Sequence, residues 1–131
     1  MTNNNDNSHS TSHLPSEDSS SLEFQGRAVI PGSIEGEVLV THTGFNPFAS
    51  YKDSVIKKSK RAKSGDQNNP ELYKERLDGK ILCIPTIVGS TTAGMVLSTA
   101  ADLGSHPKAI LYSEHIDPLG ACGVIMADIW I

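Results

Sequence analysis

Residues 79–104 read GKILCIPTIVGSTTAGMVLSTAADLG and contain the pattern that decides the fold. Gly79–Pro85 is a continuous apolar run of strand length, which is typical of a strand buried on both faces. Apolar side chains then recur at the i, i+3, i+4 and i+7 spacing of one helix face. They are Ala93, Val96, Leu97 and Ala100. Gly104 is placed to end this helix, so the sequence predicts a buried strand followed by a helix.

The segments that follow extend this strand and helix into a larger unit. His106–Ser113 predicts another buried strand, and strand, helix and strand together predict a βαβ unit with parallel strands. His115–Ala127 predicts a second helix, because Asp117 can cap it and Pro118 suits its first position. Its small residues would let it pack closely on the sheet. They are Gly120, Ala121 and Gly123. Asp128–Ile131 begins a further apolar strand, where the sequence stops.

The segments that precede the opening stretch predict two more strands. Leu22–Gly32 predicts a strand closed by a Pro-Gly turn, and Glu35–Thr41 predicts a second, short strand. The two lie close enough in the chain to pair as a hairpin. From His42 to Gly79 the periodicity is lost, which predicts a long connection of the kind used for lids or partner surfaces.

A basic cluster, KKSKRAK at Lys57–Lys63, lies inside that connection. Such a cluster is compatible with nuclear import or nucleic-acid binding. It is equally compatible with a solvated loop. We favour the solvated loop and expect no nucleic-acid partner, because no aromatic residues interleave with the charges as a stacking surface requires.

The chain has 131 residues, which suits one domain, and we place that domain at residues 22–131. Met1–Ser21 holds no Lys or Arg and almost no apolar residue, so it predicts a disordered tail. His9 and His13, in that tail, are expected to be solvated. Because the sequence stops at an apolar run, we expect the domain to be truncated at its C-terminus.

The overall composition predicts a soluble protein with a small aliphatic core, since 37% of residues are hydrophobic and only 5% aromatic. A net charge of −4 is too mild to favour nucleic acid or a membrane. No apolar run approaches the roughly 20 residues of a membrane span, and the first residues do not form a secretory signal. We therefore expect a cytoplasmic protein in which Cys83 and Cys122 are buried, reduced thiols.

The turn between the opening strand and its helix is the candidate site. In α/β proteins ligands bind where strands end, and the free N–H groups of a helix N-terminus attract anions. Gly89 would allow close backbone approach, while Ser90, Thr91 and Thr92 supply hydroxyl groups. The turn matches neither a P-loop, a dinucleotide fingerprint nor a nucleophile elbow. A simpler alternative is that one hydroxyl caps the helix and the others are incidental.

Chemistry at Ser90 would require help from elsewhere. A serine hydroxyl needs an adjacent base or a preorganised positive environment before it can accept a proton. The histidines of the predicted domain have no spacing that implies a partnership with Ser90. They are His42, His106 and His115. A site completed by another subunit would supply the missing group.

The order of these segments resembles the small, swivelling-domain subunit of the aconitase X family over roughly residues 24–131. Its most specific elements are the Gly-Ser-Thr turn with its flanking strand and helix, and the later DP-x-x-x-x-G-V-I-x-A segment. The resemblance implies an α/β fold, the β/β/α swivelling domain of the aconitase type, with a compact sheet or barrel core and flanking helices. It also implies a lyase that removes water from a hydroxy acid.

The resemblance further implies a division of labour between two chains. A large subunit would carry an iron or iron–sulfur centre and most of the pocket, while this chain would bind no metal or cofactor. Ser90 would be the proton-abstracting base. Gly89, Thr91 and Thr92 would help to bind the substrate.

Two substrates are implied by the resemblance, phosphomevalonate and 3-hydroxyproline. Phosphomevalonate members usually carry an arginine immediately before the Gly-Ser turn, where this chain has Val88. A phosphorylated substrate would thereby lose a bidentate partner. We therefore expect cis-3-hydroxy-L-proline, with phosphomevalonate as the alternative. A non-catalytic anion-binding or scaffold remnant of the fold is the third possibility, suggested by the short C-terminus.

Overall fold

A parallel sheet of three strands forms the centre of the fold in the computed structural model, which describes residues 20–129. The strands are β1 (Val38–Val40), β2 (Ile81–Ile84) and β3 (Ala109–Tyr112), in the spatial order β1-β2-β3. The predicted α/β class is confirmed. Among the described residues the core is an open sheet rather than a barrel.

The predicted βαβ unit is confirmed by helix α2 (Ala93–Asp102), which connects β2 to the parallel strand β3. Leu82 pairs with Leu39 on one side and Ile110 on the other. Leu82, Ile110 and the α2 residue Leu97 are fully buried in one apolar cluster. The face of the sheet that carries Leu82 therefore packs against the helices.

The segment Leu22–Gly32, predicted as a strand, is not one. It forms no strand in the structure, and Phe24 is 86% exposed. The predicted hairpin is wrong as well, since β1 pairs with β2. The residue pattern indicates that Leu22–Gly32 can be extended, but a strand also requires a hydrogen-bonded partner. The position beside β1 that the hairpin would need is occupied by β2.

Helix α1 (Pro47–Ile56) lies in the connection that the sequence left without structure. Asn46 caps it by accepting a hydrogen bond from the Ala49 N–H at 3.2 Å, and Pro47 occupies the first turn. Its buried positions have helical spacing but contain two serines and a proline, which conceals the apolar period. They are Pro47, Ser50, Tyr51 and Ser54.

Residues 57–78, here called the basic lobe, are also ordered. Ser64 and Ala62 exchange backbone hydrogen bonds with the 74–77 segment at 2.8–2.9 Å, and Lys63 pairs with Arg76 in an antiparallel bridge. Leu77 is fully buried beneath this ladder. The charged side chains are solvated, as expected, but the prediction of a connection without structure is wrong.

A buried carboxylate ties the basic lobe together. Asp78 accepts hydrogen bonds from the Ala62 N–H at 2.9 Å and from Arg76 Nε at 2.8 Å. Burial opposes ionisation of Asp78, yet these two donors outweigh it and hold its pKa below the ordinary value. The lobe is therefore fastened at its base by a charged hydrogen-bond network.

Helix α3 (Pro118–Met126) confirms the predicted second helix, and Asp117 Oδ1 accepts the Gly120 N–H at 2.9 Å. The helix packs against α2 rather than on the sheet. A Cβ on Gly123 would lie 2.4 Å from the Gly94 Cα, so the two backbones meet at this glycine pair. Small residues serve a helix–helix contact here.

Three further expectations concern the ends and the thiols. Residues 1–19, which include His9 and His13, and the last two residues of the predicted DIWI strand lie outside the described residues. Both cysteines are free, but Cys83 is half-buried and Cys122 on α3 is exposed, so the prediction of two buried thiols is wrong. Within residues 20–129 no helix is long and apolar enough to cross a membrane.

Candidate functional site

Residues Thr86–Thr92, here called the site turn, connect β2 to α2 at the carboxyl edge of the sheet. Its first half is held by the chain that follows β1. The Phe45 N–H donates to the Thr86 carbonyl at 2.9 Å, and the Val88 N–H donates to the Phe45 carbonyl at 2.8 Å. The turn thus begins as an extension of the parallel sheet.

Gly89 lies where the site turn leaves the sheet. Its φ of +109° is a conformation that residues with a side chain rarely adopt. A Cβ at this position would lie 2.9 Å from side-chain atoms of Asn46. Gly89 therefore packs closely against Asn46, the residue that caps α1, and the role of Gly89 in ligand binding stays a prediction.

Ser90, Thr91 and Thr92 lie side by side and exposed at the entrance to α2. Ser90 Oγ accepts a hydrogen bond from the Thr92 N–H at 3.3 Å, and the Ser90 carbonyl accepts the Ala93 N–H at 3.0 Å. Thr92 occupies the N-cap position but makes no side-chain capping bond. Helix capping therefore accounts for the Ser90 hydroxyl, through one long hydrogen bond. It does not account for the presence of Thr91 and Thr92.

The backbone of the site turn offers donors to a ligand. Within residues 20–129, the N–H groups of Gly89, Ser90 and Thr91 donate to no acceptor. The first turn of α2 contains no acidic residue that would neutralise the positive end of the helix dipole. A carboxylate, a phosphate or a serine alkoxide would be stabilised at this position.

No side chain that could activate Ser90 is bonded to it in the part of the chain that the structure describes. His106 precedes β3 and so lies at the opposite, amino edge of the sheet. His115 is exposed ahead of α3. The expectation that another chain supplies the activating group stays a prediction.

A histidine–glutamate pair at the end of β1 escaped the sequence prediction. His42 Nδ1 lies 2.8 Å from Glu71 Oε1, while Glu71 Oε2 accepts hydrogen bonds from the His42 N–H at 2.6 Å and the Thr41 hydroxyl at 2.7 Å. The His42 and Thr41 bonds lower the pKa of Glu71 to about 2. The partners lie 29 and 30 residues apart, so no local motif could have indicated the pair.

Helix α3 braces the site turn from another side. A Cβ on Gly120 would lie 2.8 Å from the Ile87 side chain. Gly123 packs against Gly94, which lies in the first turn of α2. Val124 is fully buried in the same core cluster as Ile87. The position of the site turn therefore depends on the close packing of α3.

The described residues form no group of metal ligands, and the two best-defined clefts among them lie away from the site turn. Within residues 20–129, no group of three or more His, Cys, Asp or Glu side chains could hold a metal ion. A cleft of about 480 Å³ includes Ile34, His106 and Lys108 and therefore lies at the amino edge of the sheet. We do not assign the site to that cleft, because the ligand-binding edge of a parallel sheet is its carboxyl edge.

Comparison with known proteins gives consistent results. Residues 23–131 match the family described as the aconitase X swivel domain. Relatives named phosphomevalonate dehydratase small subunit include one from Pyrococcus furiosus and one from Archaeoglobus fulgidus. The relative from Pyrococcus furiosus is 29% identical over 110 residues, 82% of this chain and 75% of its own length. The relative from Archaeoglobus fulgidus is 32% identical over 108 residues, with the same two coverages.

A solved structure is similar over the same part of the chain. The crystal structure of Thermococcus kodakaraensis aconitase X, in its holo-form, matches with a TM-score of 0.67 and 27% identity. The match covers 81% of this chain and 75% of that chain. The sheet, the helices and the site turn described above lie within residues 23–131, the range of the family match.

Proposed function

This chain belongs to the aconitase X swivel-domain family, as its segment order predicted, and from that premise we propose that it is the small subunit of a two-chain dehydratase. The enzyme would be a hydro-lyase that removes water from a hydroxy acid. One observation carries the proposal. The Ser90 hydroxyl is exposed on a turn whose N–H groups have no acceptor within residues 20–129.

We assign proton abstraction to Ser90. Its Oγ would take the proton from the carbon next to the substrate carboxylate, leaving a carbanion-like centre that expels the hydroxyl group. A serine oxygen is a competent base only as an alkoxide, and N–H donors with the positive end of α2 favour that form. Gly89, Thr91 and Thr92 would bind the carboxylate with the remaining donors of the turn.

The rest of the site is assigned to a large subunit. The described residues of this chain offer no ligand set that fits iron, so we place the iron or iron–sulfur centre in that subunit. The group that activates Ser90 is placed there too, since no cationic or histidine side chain of this chain's described part is bonded to Ser90. This division accounts for the exposure of Ser90, Thr91 and Thr92 on the site turn.

Phosphomevalonate is the first candidate substrate. The relatives from Pyrococcus furiosus and Archaeoglobus fulgidus carry its name, and they support this alternative better than the expected hydroxyproline. Val88 keeps cis-3-hydroxy-L-proline as the second candidate. The Val88 side chain is 43% exposed beside Gly89 and offers no positive charge to the phosphate group of phosphomevalonate.

Reconstitution with the large subunit from the same organism tests the proposal. Each substrate is supplied to the two chains separately and together, and the dehydrated product is measured. We expect turnover only from the pair, on phosphomevalonate first. Ser90→Ala should reduce kcat by roughly 10²–10⁴-fold, whereas Thr99→Ala, which removes a hydroxyl further along α2, should leave it unchanged.

Two outcomes would contradict this assignment. Near-normal turnover by Ser90→Ala in an intact pair would remove Ser90 as the base. Binding of a carboxylate ligand without turnover of either substrate would favour the third possibility, a non-catalytic anion-binding or scaffold remnant of the fold.

A further inference from the structure

The positive charges of this chain are concentrated in one stretch. Residues 52–76 carry eight of the 11 Lys and Arg side chains and four of the 15 Asp and Glu, a net charge of +4. The whole chain has a net charge of −4, so the remainder carries −8. A protein this polarised presents a strong positive field on one surface.

We infer that the basic lobe and the outer face of α1 form the docking surface for an acidic, partly apolar surface of the large subunit. The inference rests on the proposed function for the existence of that subunit. It adds the location and the chemistry of the contact, which neither the family match nor the relatives' names provide.

The charge arrangement within the basic lobe opposes folding. Lys63 lies directly opposite Arg76 in the antiparallel bridge, and like charges opposite one another destabilise such a pairing. Arg76 is neutralised by Asp78, with Nη2 and Oδ2 2.6 Å apart. Lys63 makes no ion pair within residues 20–129, and Lys60 and Arg61 beside it are exposed. These charges are therefore not explained by stability.

The α1 helix dipole accounts for only some of the positive charges in Lys57–Lys63. Lys57 and Lys58 follow the last turn of α1, where positive charge complements the helix dipole. Lys60, Arg61 and Lys63 lie beyond the reach of that effect, which fades within one turn. At least three of the positive charges therefore need another role.

The outer face of α1 adds apolar contacts to this surface. Phe48, Lys52 and Ile56 follow the i, i+4, i+8 spacing of one helix face, opposite the buried face that carries Tyr51. Phe48 is 51% and Ile56 77% exposed. Apolar side chains surrounded by charged ones are typical of a protein–protein contact with an apolar centre and a polar rim.

These features favour a protein partner over nucleic acid. Single-stranded nucleic acid needs several aromatic faces interleaved with the charges. No aromatic residue lies within Lys57–Lys63, and Phe48 is a single ring near the start of α1, at the end away from that cluster. Tyr73 is the aromatic residue of the basic lobe, and the Lys74 ammonium already lies 5.1 Å from its ring centre. A positively charged surface with a few apolar contacts is complementary to an acidic, partly apolar protein surface.

The same surface is continuous with the site turn. Asn46 caps the first turn of α1 and also contacts Gly89. A partner seated along α1 would therefore extend from the basic lobe at one end to the site turn at the other. This is the geometry required of a subunit that completes the site at Ser90.

Two double variants with the same net charge provide the test. Lys60→Glu/Lys63→Glu alters the basic lobe, and the matched control Arg27→Glu/Lys108→Glu alters exposed cations elsewhere. Their affinities for the purified large subunit are measured over a series of salt concentrations. We expect the lobe variant to raise the Kd by about tenfold or more and to flatten its salt dependence, and the control to change Kd by less than about twofold.

The outcomes separate this inference from the proposed function. Equal weakening by both double variants, or none by the lobe variant, would overturn the docking surface, and so would a wild-type chain that fails to bind the large subunit. Loss of RNA or DNA binding in the lobe variant with unchanged subunit affinity would instead assign the lobe to nucleic acid. Salt-sensitive self-association that only the lobe variant abolishes would assign it to a second copy of this chain.

Turnover and folding supply two further controls. A wild-type pair that assembles through the lobe without turnover of either substrate would end the proposed dehydratase and leave the docking surface standing. Lys63→Glu alone replaces a like-charge pairing by an opposite one, so it should raise the denaturation midpoint of the isolated chain while weakening the complex. A lower midpoint would show that the charge serves folding and would overturn the inference.

Discussion

The site turn and the basic lobe are both exposed connections, but they are built in opposite ways. The site turn is held by two backbone hydrogen bonds to Phe45 and then presents hydroxyl and N–H groups with little around them. The basic lobe is fastened by a backbone ladder and the buried Asp78 and presents charged side chains. The difference is consistent with the two proposed roles. Backbone geometry at the site turn suits the small ligand proposed there. The basic lobe is a rigid support for the charges that we propose contact the large subunit.

The largest loss of stability is expected where α3 supports the site turn. Gly123→Ala places a Cβ 2.4 Å from the Gly94 Cα, and backbone cannot move aside as a flexible side chain would. We expect a loss of about 1–3 kcal/mol in the free energy of unfolding, measured by chemical denaturation. Met126→Ala, an exposed change on the same helix, should stay within about 0.5 kcal/mol.

An unchanged midpoint for Gly123→Ala would show that α3 does not lie against α2 as described. The site turn would then lack the support from α3 that distinguishes it from a free loop. Its ordered position would need a different explanation.

A second prediction concerns the contact between Gly89 and Asn46. Gly89→Ala places a side chain at a φ of +109° and 2.9 Å from Asn46, so it should cost about 1–3 kcal/mol. Asn46→Ala should cost about 1 kcal/mol through loss of the α1 cap. Because the second change relieves the clash made by the first, the double variant should lose less stability than the two single losses combined.

Strict additivity in this cycle would mean that Gly89 and Asn46 do not touch. Turnover of the reconstituted pair gives a second measurement. Gly89→Ala should reduce it, since the same backbone conformation sets the direction of the Ser90 and Thr91 N–H groups.

The third prediction is that the stability of the fold depends on pH through the Glu71 carboxylate of the basic lobe. Glu71 has an ordinary pKa of 4.5 that falls to about 2 in the folded chain, so its bonds to His42 and Thr41 stabilise the fold above pH 4.5. That contribution is lost as the pH falls from 4.5 towards 2. Thermal midpoints of wild type and Glu71→Gln should therefore differ most above pH 4.5 and converge near pH 2.

Glu75→Gln is the matched control in the same lobe. Glu75 makes no side-chain hydrogen bond or ion pair in the described part of the chain, so its change should leave the pH profile unaltered. A gap between wild type and Glu71→Gln that does not narrow at low pH would refute the His42–Glu71 pairing.

The smallest expected effect lies beneath α1, which joins the two regions. The Tyr51 hydroxyl is buried and finds no hydrogen-bond partner among residues 20–129, and burial raises its pKa, with a smaller contribution from Asp78. Removing an unsatisfied buried hydroxyl is close to neutral or stabilising. Tyr51→Phe should keep the free energy of unfolding within about 1 kcal/mol of wild type or raise it. A substantial loss would indicate a bond that the fold relies on.

The two regions also differ in how far the sequence predicts them. The strand, site turn and helix around Ser90 follow from a continuous apolar run and a clear helical period, and all three were placed correctly. Helix α1 was missed because Ser50 and Ser54 fill buried positions that are usually apolar. The basic lobe was missed because its ladder joins residues 62–64 to 74–77 with no strand-like alternation. Periodicity indicates where apolar faces lie and carries no information about buried polar contacts.

The strand predicted at Leu22–Gly32 failed for a related reason. The residue pattern before the Pro-Gly turn indicates a segment that could pair, but the partner of a strand is decided by the tertiary structure, and β1 pairs with β2 instead. The His42–Glu71 pair was equally out of reach, since its members are 29 residues apart. Polar contacts between residues far apart in the chain become visible only in the structure.

Turnover of the reconstituted pair, measured at a saturating concentration of the large subunit, shows whether Ser90 carries the chemistry. For Ser90→Ala, we predict that kcat falls by roughly 10²–10⁴-fold while the Kd for the large subunit is unchanged. For Lys60→Glu/Lys63→Glu it predicts a raised Kd with kcat preserved at saturation. A Ser90→Ala pair that assembles normally and turns over within about twofold of wild type would contradict the assignment of chemistry to the site turn.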